Sequence, residues 1–261
     1  MRKAVFLDRD GTLIKNHHYQ CDPNGIELME GVVEGLKLLA ERGFLPIVVT
    51  NQSGIARGYY TEEQLMVMHH RLNEILLQNG TGIFAFYYCP HHPDGVVPRY
   101  SKICNCRKPK PGMVLQACSD LGIDPTQSWM VGDILDDVEA GKRAGCRAIL
   151  LDLGTEAEPE CPEREPEFVA ADFLSAAKYL LEHDAALAFS KLDPFTEKEL
   201  RLGLLSDYRE GKRLIPPETV NKCDIDGDGG EAGPAATTSS NVPNDLKSIR
   251  MGDNPGEEPD E

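Results

Sequence analysis

From the first residues to about residue 185, short apolar runs alternate with stretches whose apolar residues recur at helical spacing. No other feature of the chain limits its fold so tightly. Parallel strands buried on both faces read as almost unbroken apolar runs, and each must be joined to the next by a crossover, so the pattern is that of a βαβ protein. Residues 4–7 are predicted to form the first strand. Val33, Leu36, Leu39 and Ala40 then repeat at helical spacing up to Gly43, and residues 44–49 follow as a buried strand. Thr61 and Gln64 have the spacing of a capping box. Leu65, Met68, Leu72, Ile75 and Leu76 continue from it as one stripe, read as core and not as a cofactor site. A strand over residues 83–88, a helix opened by Pro111 and closed near Gly122, strands over 129–131 and 148–151, and a helix over 172–181 complete the series. The expected fold class is α/β, a Rossmann-like parallel sheet with helices on both faces.

Past residue 185 the character changes. Residues 186–215 keep helical spacing through Leu200, Leu202 and Leu205, which fits a helical appendage that packs on the domain, binds a partner or stands alone. Residues 216–261 are rich in Pro, Gly, Ser and acidic groups. With few large apolar side chains to offset chain entropy, this acidic tail is predicted to be disordered. Asp224, Asp226, Asp228 and Gly229 imitate the start of an EF-hand loop, but its twelfth position is Ala235 where a bidentate Glu is needed, so a solvated acidic segment is the better reading.

Charge narrows the partners. At a formal net charge of −16 the chain repels polyanions and forfeits the counterion release that drives nucleic-acid binding, so no nucleic-acid partner is expected. The apolar run over residues 4–7 is too short for a signal-peptide core or a membrane span, and a soluble cytoplasmic monomer is the default expectation. In a reducing compartment cysteines are buried or bind metal. Of the eight, Cys21, Cys118, Cys146, Cys161 and Cys223 are scattered and read as small hydrophobes, whereas Cys89, Cys104 and Cys106 gather around His91.

Four strand ends carry polar groups suited to one chemistry. The first strand runs into Asp8-Arg9-Asp10-Gly11-Thr12, and a spacing of two along extended backbone puts both carboxylates on one face. One can attack phosphorus while the other protonates a leaving oxygen and later deprotonates water. The second strand ends in Thr50-Asn51-Gln52-Ser53-Gly54, whose hydroxyl and N–H groups can grip phosphate oxygens without adding charge. Arg107-Lys108-Pro109 supplies cations, and Gly132-Asp133-Ile134-Leu135-Asp136-Asp137 supplies carboxylates for a hard cation such as magnesium. Cys89-x-His91 with Cys104-x-Cys106 offers three thiolates and an imidazole, a full tetrahedral set for zinc, with His92 as the competing ligand. Such a set leaves no open position, so the metal would be structural and would fix the loop that delivers Arg107 and Lys108.

These segments resemble the four motifs of the haloacid dehalogenase-type phosphatases, over about the first 180 residues. Phe6 to Thr12, Thr50 to Gly58, Cys89 to Pro93 and Cys104 to Pro109 look most like the branch that acts on a heptose bisphosphate. The resemblance implies no large cap domain, a small zinc-binding loop over residues 89–106, and a small phosphorylated sugar as substrate. It implies Asp8 as nucleophile, Asp10 as general acid/base, Thr50 and Lys108 as phosphate stabilisers, and Arg107 as a substrate-recognition residue. Magnesium would sit on Asp8, the Asp10 carbonyl and Asp133, with Asp137 behind them, and zinc on Cys89, His91, Cys104 and Cys106. Asn16, His17, His18, Tyr19, Asn51, Gln52 and Ser53 would line the sugar site. Two rivals remain: a histidinol-phosphate phosphatase, which shares the aspartate pair and zinc loop but fits Ser53 to Gly58 less well, and an idle zinc-bearing scaffold with a partner-binding tail. One departure is Ile134, where relatives often carry a lysine.

Overall fold

In β1 (Lys3–Leu7) successive side chains serve opposite cores: Val5 and Leu7 join one apolar cluster, Ala4 and Phe6 the other. The same alternation splits β2 (Phe44–Asn51), with Phe44 and Val48 on one side and Leu45, Ile47 and Val49 on the other. Strands that are apolar on both faces need a layer of helices against each. In this computed structural model, which describes residues 2–19 and 21–184, α1 (Val32–Glu41), α2 (Glu62–Gln78) and α5 (Phe173–Glu182) cover the first face through Leu36, Met68, Leu72 and Phe173. The second face is covered by α3 (Gly112–Leu121) and α4 (Leu135–Arg143) through Met113, Val114 and Val138.

The sheet has six parallel strands in the order β3-β2-β1-β4-β5-β6, with β3 at Ala85–Cys89, β4 at Trp129–Gly132, β5 at Arg147–Leu151 and β6 at Phe168–Ala170. Strand order reverses between β1 and β4, which pair from Val5↔Trp129 to Leu7↔Val131. The chain leaves β1 for α1 on one face and leaves β4 for α4 on the other. Those two departures open a crevice at the carboxyl ends of the strands, where open α/β sheets bind ligands.

Local signals act as expected at most boundaries. Thr61 and Gln64 form the reciprocal capping box of α2, and Asp172 caps α5 by accepting from Ser175 N at 2.6 Å. Gly122 ends α3 at φ 65°, the left-handed conformation that glycine tolerates. The third strand starts later than residue 83, because the Ile83 amide is taken by the Asn73 side chain at 2.8 Å. Helix α4 and the three-residue strand β6 were not anticipated from the sequence. Among the described residues no helix is long and apolar enough to cross a membrane. The predicted appendage over 186–215, the acidic tail over 216–261, its EF-hand-like aspartates and Cys223 lie outside the described residues.

Candidate active site

The first acidic group leaves β1 still in register: Asp8 N donates to Val131 O at 3.0 Å, so its carboxylate stands at the crevice and is buried. The chain then reverses at Gly11 (φ 92°), where a Cβ would lie 2.1 Å from Asp133 Oδ2. Only glycine leaves room there for the Asp133 carboxylate. Thr12 Oγ1 donates to Asp133 Oδ1 at 3.1 Å and fixes it. Gly132 does for Asp137 what Gly11 does for Asp133, since a Cβ on Gly132 would meet Asp137 Oδ2 at 2.1 Å.

Lys108 draws these groups together. Its Nζ lies 2.6 Å from Asp8 Oδ1, 2.6 Å from Asp137 Oδ1 and 2.7 Å from Val49 O, and the residue is only 2% exposed. Burial opposes its charge, but Asp137 and Asp8 outweigh burial and hold its pKa above the usual lysine range. Burial, with Asp8 close by, pushes Asp133 and Asp137 well above ordinary carboxylates even though Lys108 pulls the other way. Asn51 clamps the lysine's own backbone from both sides, donating through Nδ2 to Lys108 O at 3.1 Å and accepting from Lys108 N at 3.1 Å.

Among the described residues, the cations set against Asp8, Asp10, Asp133 and Asp137 are Arg9 and Lys108. Fully ionised, the group carries a negative excess that one divalent cation would balance. One carboxylate oxygen from each of Asp8, Asp133 and Asp137 lies within 4.8 Å of the others, and the three could hold such an ion. Asp137 is fully buried and off the cavity wall, so the donors left toward the crevice are Asp133 and the Asp8 oxygen that Lys108 does not take, hard oxygens of the kind magnesium prefers.

A cavity of about 230 Å³ opens over this cluster. Asn16, His18, Tyr19, Thr50, Asn51, Gln52 and Ser53 line it, as does Ile134. His17 is not among the lining residues; it is exposed beside Glu27, at 3.7 Å. Arg107 is also off the wall, with Nη1 3.5 Å from His91 O, and Asp137 lies fully buried behind Lys108. Two wall residues escaped the sequence reading. Arg9, 1% exposed, forks onto both oxygens of Asp10, and Tyr60 donates to Gln52 Oε1 at 2.6 Å. An arginine flanked by two aspartates was a usable signal for the first. Tyr60 lies ten residues past Thr50 and gave none.

The second cluster is closed. Cys106 Sγ lies 3.3 Å from Cys89 Sγ and 3.2 Å from Cys104 Sγ, Cys89 and Cys104 are 3.5 Å apart, and His91 Nδ1 is 3.4 Å from Cys106 Sγ. These separations are too long for disulfides, and all three cysteines are free. They approach the edge of a tetrahedron with metal–sulfur bonds of ~2.3 Å, so the four donors could hold a metal ion. His92 stands outside the set, with Nε2 3.2 Å from Arg57 Nη2. Cys106 directly precedes Arg107 and Lys108, so the cluster anchors the segment carrying the buried lysine.

Known proteins resemble this chain along the same residues. The HAD-hyrolase-like family model matches residues 105–176. A Pasteurella multocida (strain Pm70) protein described as D-glycero-beta-D-manno-heptose-1,7-bisphosphate 7-phosphatase is 46% identical over 151 residues, covering 58% of this chain and 82% of that protein. An Escherichia coli (strain K12) protein of the same description is 42% identical over 158 residues, covering 60% and 83%. Among solved structures, D,D-heptose 1,7-bisphosphate phosphatase from B. bronchiseptica, complexed with magnesium and phosphate, is 30% identical with a TM-score of 0.61, covering 69% of this chain and 98% of that one. A HAD-like phosphatase fold from Mesorhizobium loti is 34% identical with a TM-score of 0.61, covering 69% and 87%.

Proposed function

The chain belongs to the D-glycero-beta-D-manno-heptose-1,7-bisphosphate 7-phosphatase family of haloacid dehalogenase-type hydrolases, and from that premise we propose that it removes the 7-phosphate of a heptose 1,7-bisphosphate through an aspartyl phosphate on Asp8. The observation that carries this reading is the meeting of Asp8 and Asp133 from adjacent strand ends with the buried Lys108 beneath one cavity.

An Asp8 carboxylate oxygen attacks phosphorus in line as the bond to the sugar's O7 breaks, and Asp10 delivers its proton to that oxygen. The products are the free 7-hydroxyl and phosphorylated Asp8. Asp10, now a carboxylate, takes a proton from water, whose oxygen attacks phosphorus and releases phosphate from Asp8. Lys108 and the Thr50 hydroxyl hold the transferring phosphoryl oxygens, and the Lys108 bond to Asp8 Oδ1 keeps the nucleophile aimed. A magnesium ion on Asp8, Asp133 and the Asp10 carbonyl would supply the charge screening that lets a carboxylate approach a phosphate dianion. Zinc on Cys89, His91, Cys104 and Cys106 would be structural, and Arg107 beside it would contact the substrate's distal part.

Comparing kcat/KM for the heptose bisphosphate and for histidinol phosphate tests the substrate. The heptose ester is expected to be preferred by orders of magnitude, and a preference for histidinol phosphate would overturn the assignment. The idle-scaffold reading requires that no phosphate ester be hydrolysed at all.

A further inference from the structure

Asp10 does not stand alone. Both its oxygens are taken by Arg9, with Nε at 3.1 Å from Oδ1 and Nη2 at 2.8 Å from Oδ2, and Gln52 Nε2 donates to Oδ2 at 2.9 Å. The same amide nitrogen donates to Thr50 Oγ1 at 2.9 Å, so one side chain ties the acid to the phosphate-gripping hydroxyl. What decides which end of that amide faces Asp10 is the other end. Gln52 Oε1 accepts from Tyr60 Oη at 2.6 Å and from Arg9 Nη2 at 3.1 Å. A flipped amide would aim its NH2 group at the Arg9 guanidinium and its oxygen at the Asp10 carboxylate, two repulsive contacts, whereas the Tyr60 and Thr50 hydroxyls can each turn to donate or accept. Tyr60 is itself held in place, since its ring packs so closely on Gly54 that a Cβ there would meet Cε1 at 2.2 Å. Both residues are buried, Gln52 at 2% and Tyr60 at 7% exposed.

We propose that Tyr60, acting through Gln52, is a positioning residue that holds the Asp10 carboxyl group in the orientation from which it protonates the leaving oxygen. This rests on the general-acid role given to Asp10 above. Without the Tyr60 hydroxyl, Arg9 alone holds the amide oxygen, and Gln52 is free to shift on its side chain so that Asp10 Oδ2 loses the donor that orients it.

The leaving group provides the test. A sugar alkoxide must be protonated as it departs, whereas p-nitrophenolate leaves without help, so a misplaced acid slows the first ester and spares the second. With Tyr60→Phe in the full chain, kcat/KM for the heptose bisphosphate is expected to fall about tenfold, a fraction of what a general acid contributes. The value for p-nitrophenyl phosphate should change less than about twofold, and Asp10→Asn should show the same selectivity with a larger loss. Equal losses on both esters in Tyr60→Phe, or none on either, overturn the positioning role while leaving Asp10 as the acid. Absence of selectivity in Asp10→Asn removes the acid assignment and this inference with it.

Discussion

The carboxylate crevice and the cysteine cluster each gather possible metal donors from separate parts of the chain, yet their surroundings differ in the property that separates chemistry from scaffolding. Asp8 and Asp133 open onto a cavity and leave coordination positions facing it. Cys89, His91, Cys104 and Cys106 surround their centre with four protein donors and leave none. The crevice also carries Lys108, paired with both Asp8 and Asp137, whereas the cysteine group is a set of four donors that could hold a metal ion. Lys108 joins the two regions: its side chain lies in the crevice, and its backbone follows two residues after Cys106. An open cluster can exchange ligands and turn over, and a closed one can only hold the chain still.

Four perturbations would break or sharpen this contrast. The largest effect should come from leaving magnesium out of the assay while zinc stays in place: phosphate release is expected to fall at least ~10³-fold with the thermal midpoint unchanged, because the open site serves the reaction and not the fold. A midpoint that collapses with magnesium alone would erase the distinction. Next, Lys108→Met should lower kcat by ~10²-fold or more, as removal of a preorganised charge does. It should also cost ~3–5 kcal/mol in urea denaturation, because Asp137 would be left buried without its partner. Third, Cys104→Ser should abolish zinc in metal analysis, lower the thermal midpoint and reduce kcat by about tenfold through slackening of the Lys108 segment, in line with the effect of altered metal surroundings. Intact stability after zinc loss would contradict a structural role. The smallest effect is expected from Asn51→Ala, which removes the two-sided clamp on the Lys108 backbone and should cost ~1 kcal/mol with a few-fold loss of kcat.

Much of this was legible in the sequence because the relevant signals are local. Apolar runs such as residues 44–49 reported strands, and Thr61 with Gln64 reported the start of α2, since a capping box needs only its own turn. The aspartates after β1 and β4 were legible because strand ends of a parallel sheet emerge on one side whatever the strand order. Helix α4 was hidden: its first turn is acidic and its buried face includes Asp137 and Glu139, so its apolar stripe is thin. Strand β6 has three residues and is recognisable only through its pairing with Ile149, Leu150 and Leu151. The link from Tyr60 to Gln52, eight residues apart across a loop, and that from Lys108 to Asp137, between different segments of the chain, depend on side-chain geometry alone, and no spacing rule announces them.

The most direct measurement is to quench the enzyme during turnover, convert any acyl phosphate to a stable adduct with hydroxylamine or borohydride, and map the adduct by mass spectrometry. It should fall on the peptide carrying Asp8 and vanish in Asp8→Asn, which should also have lost turnover. Normal turnover with no adduct at Asp8, or an Asp8→Asn variant as active as the parent chain, would contradict covalent catalysis at this crevice.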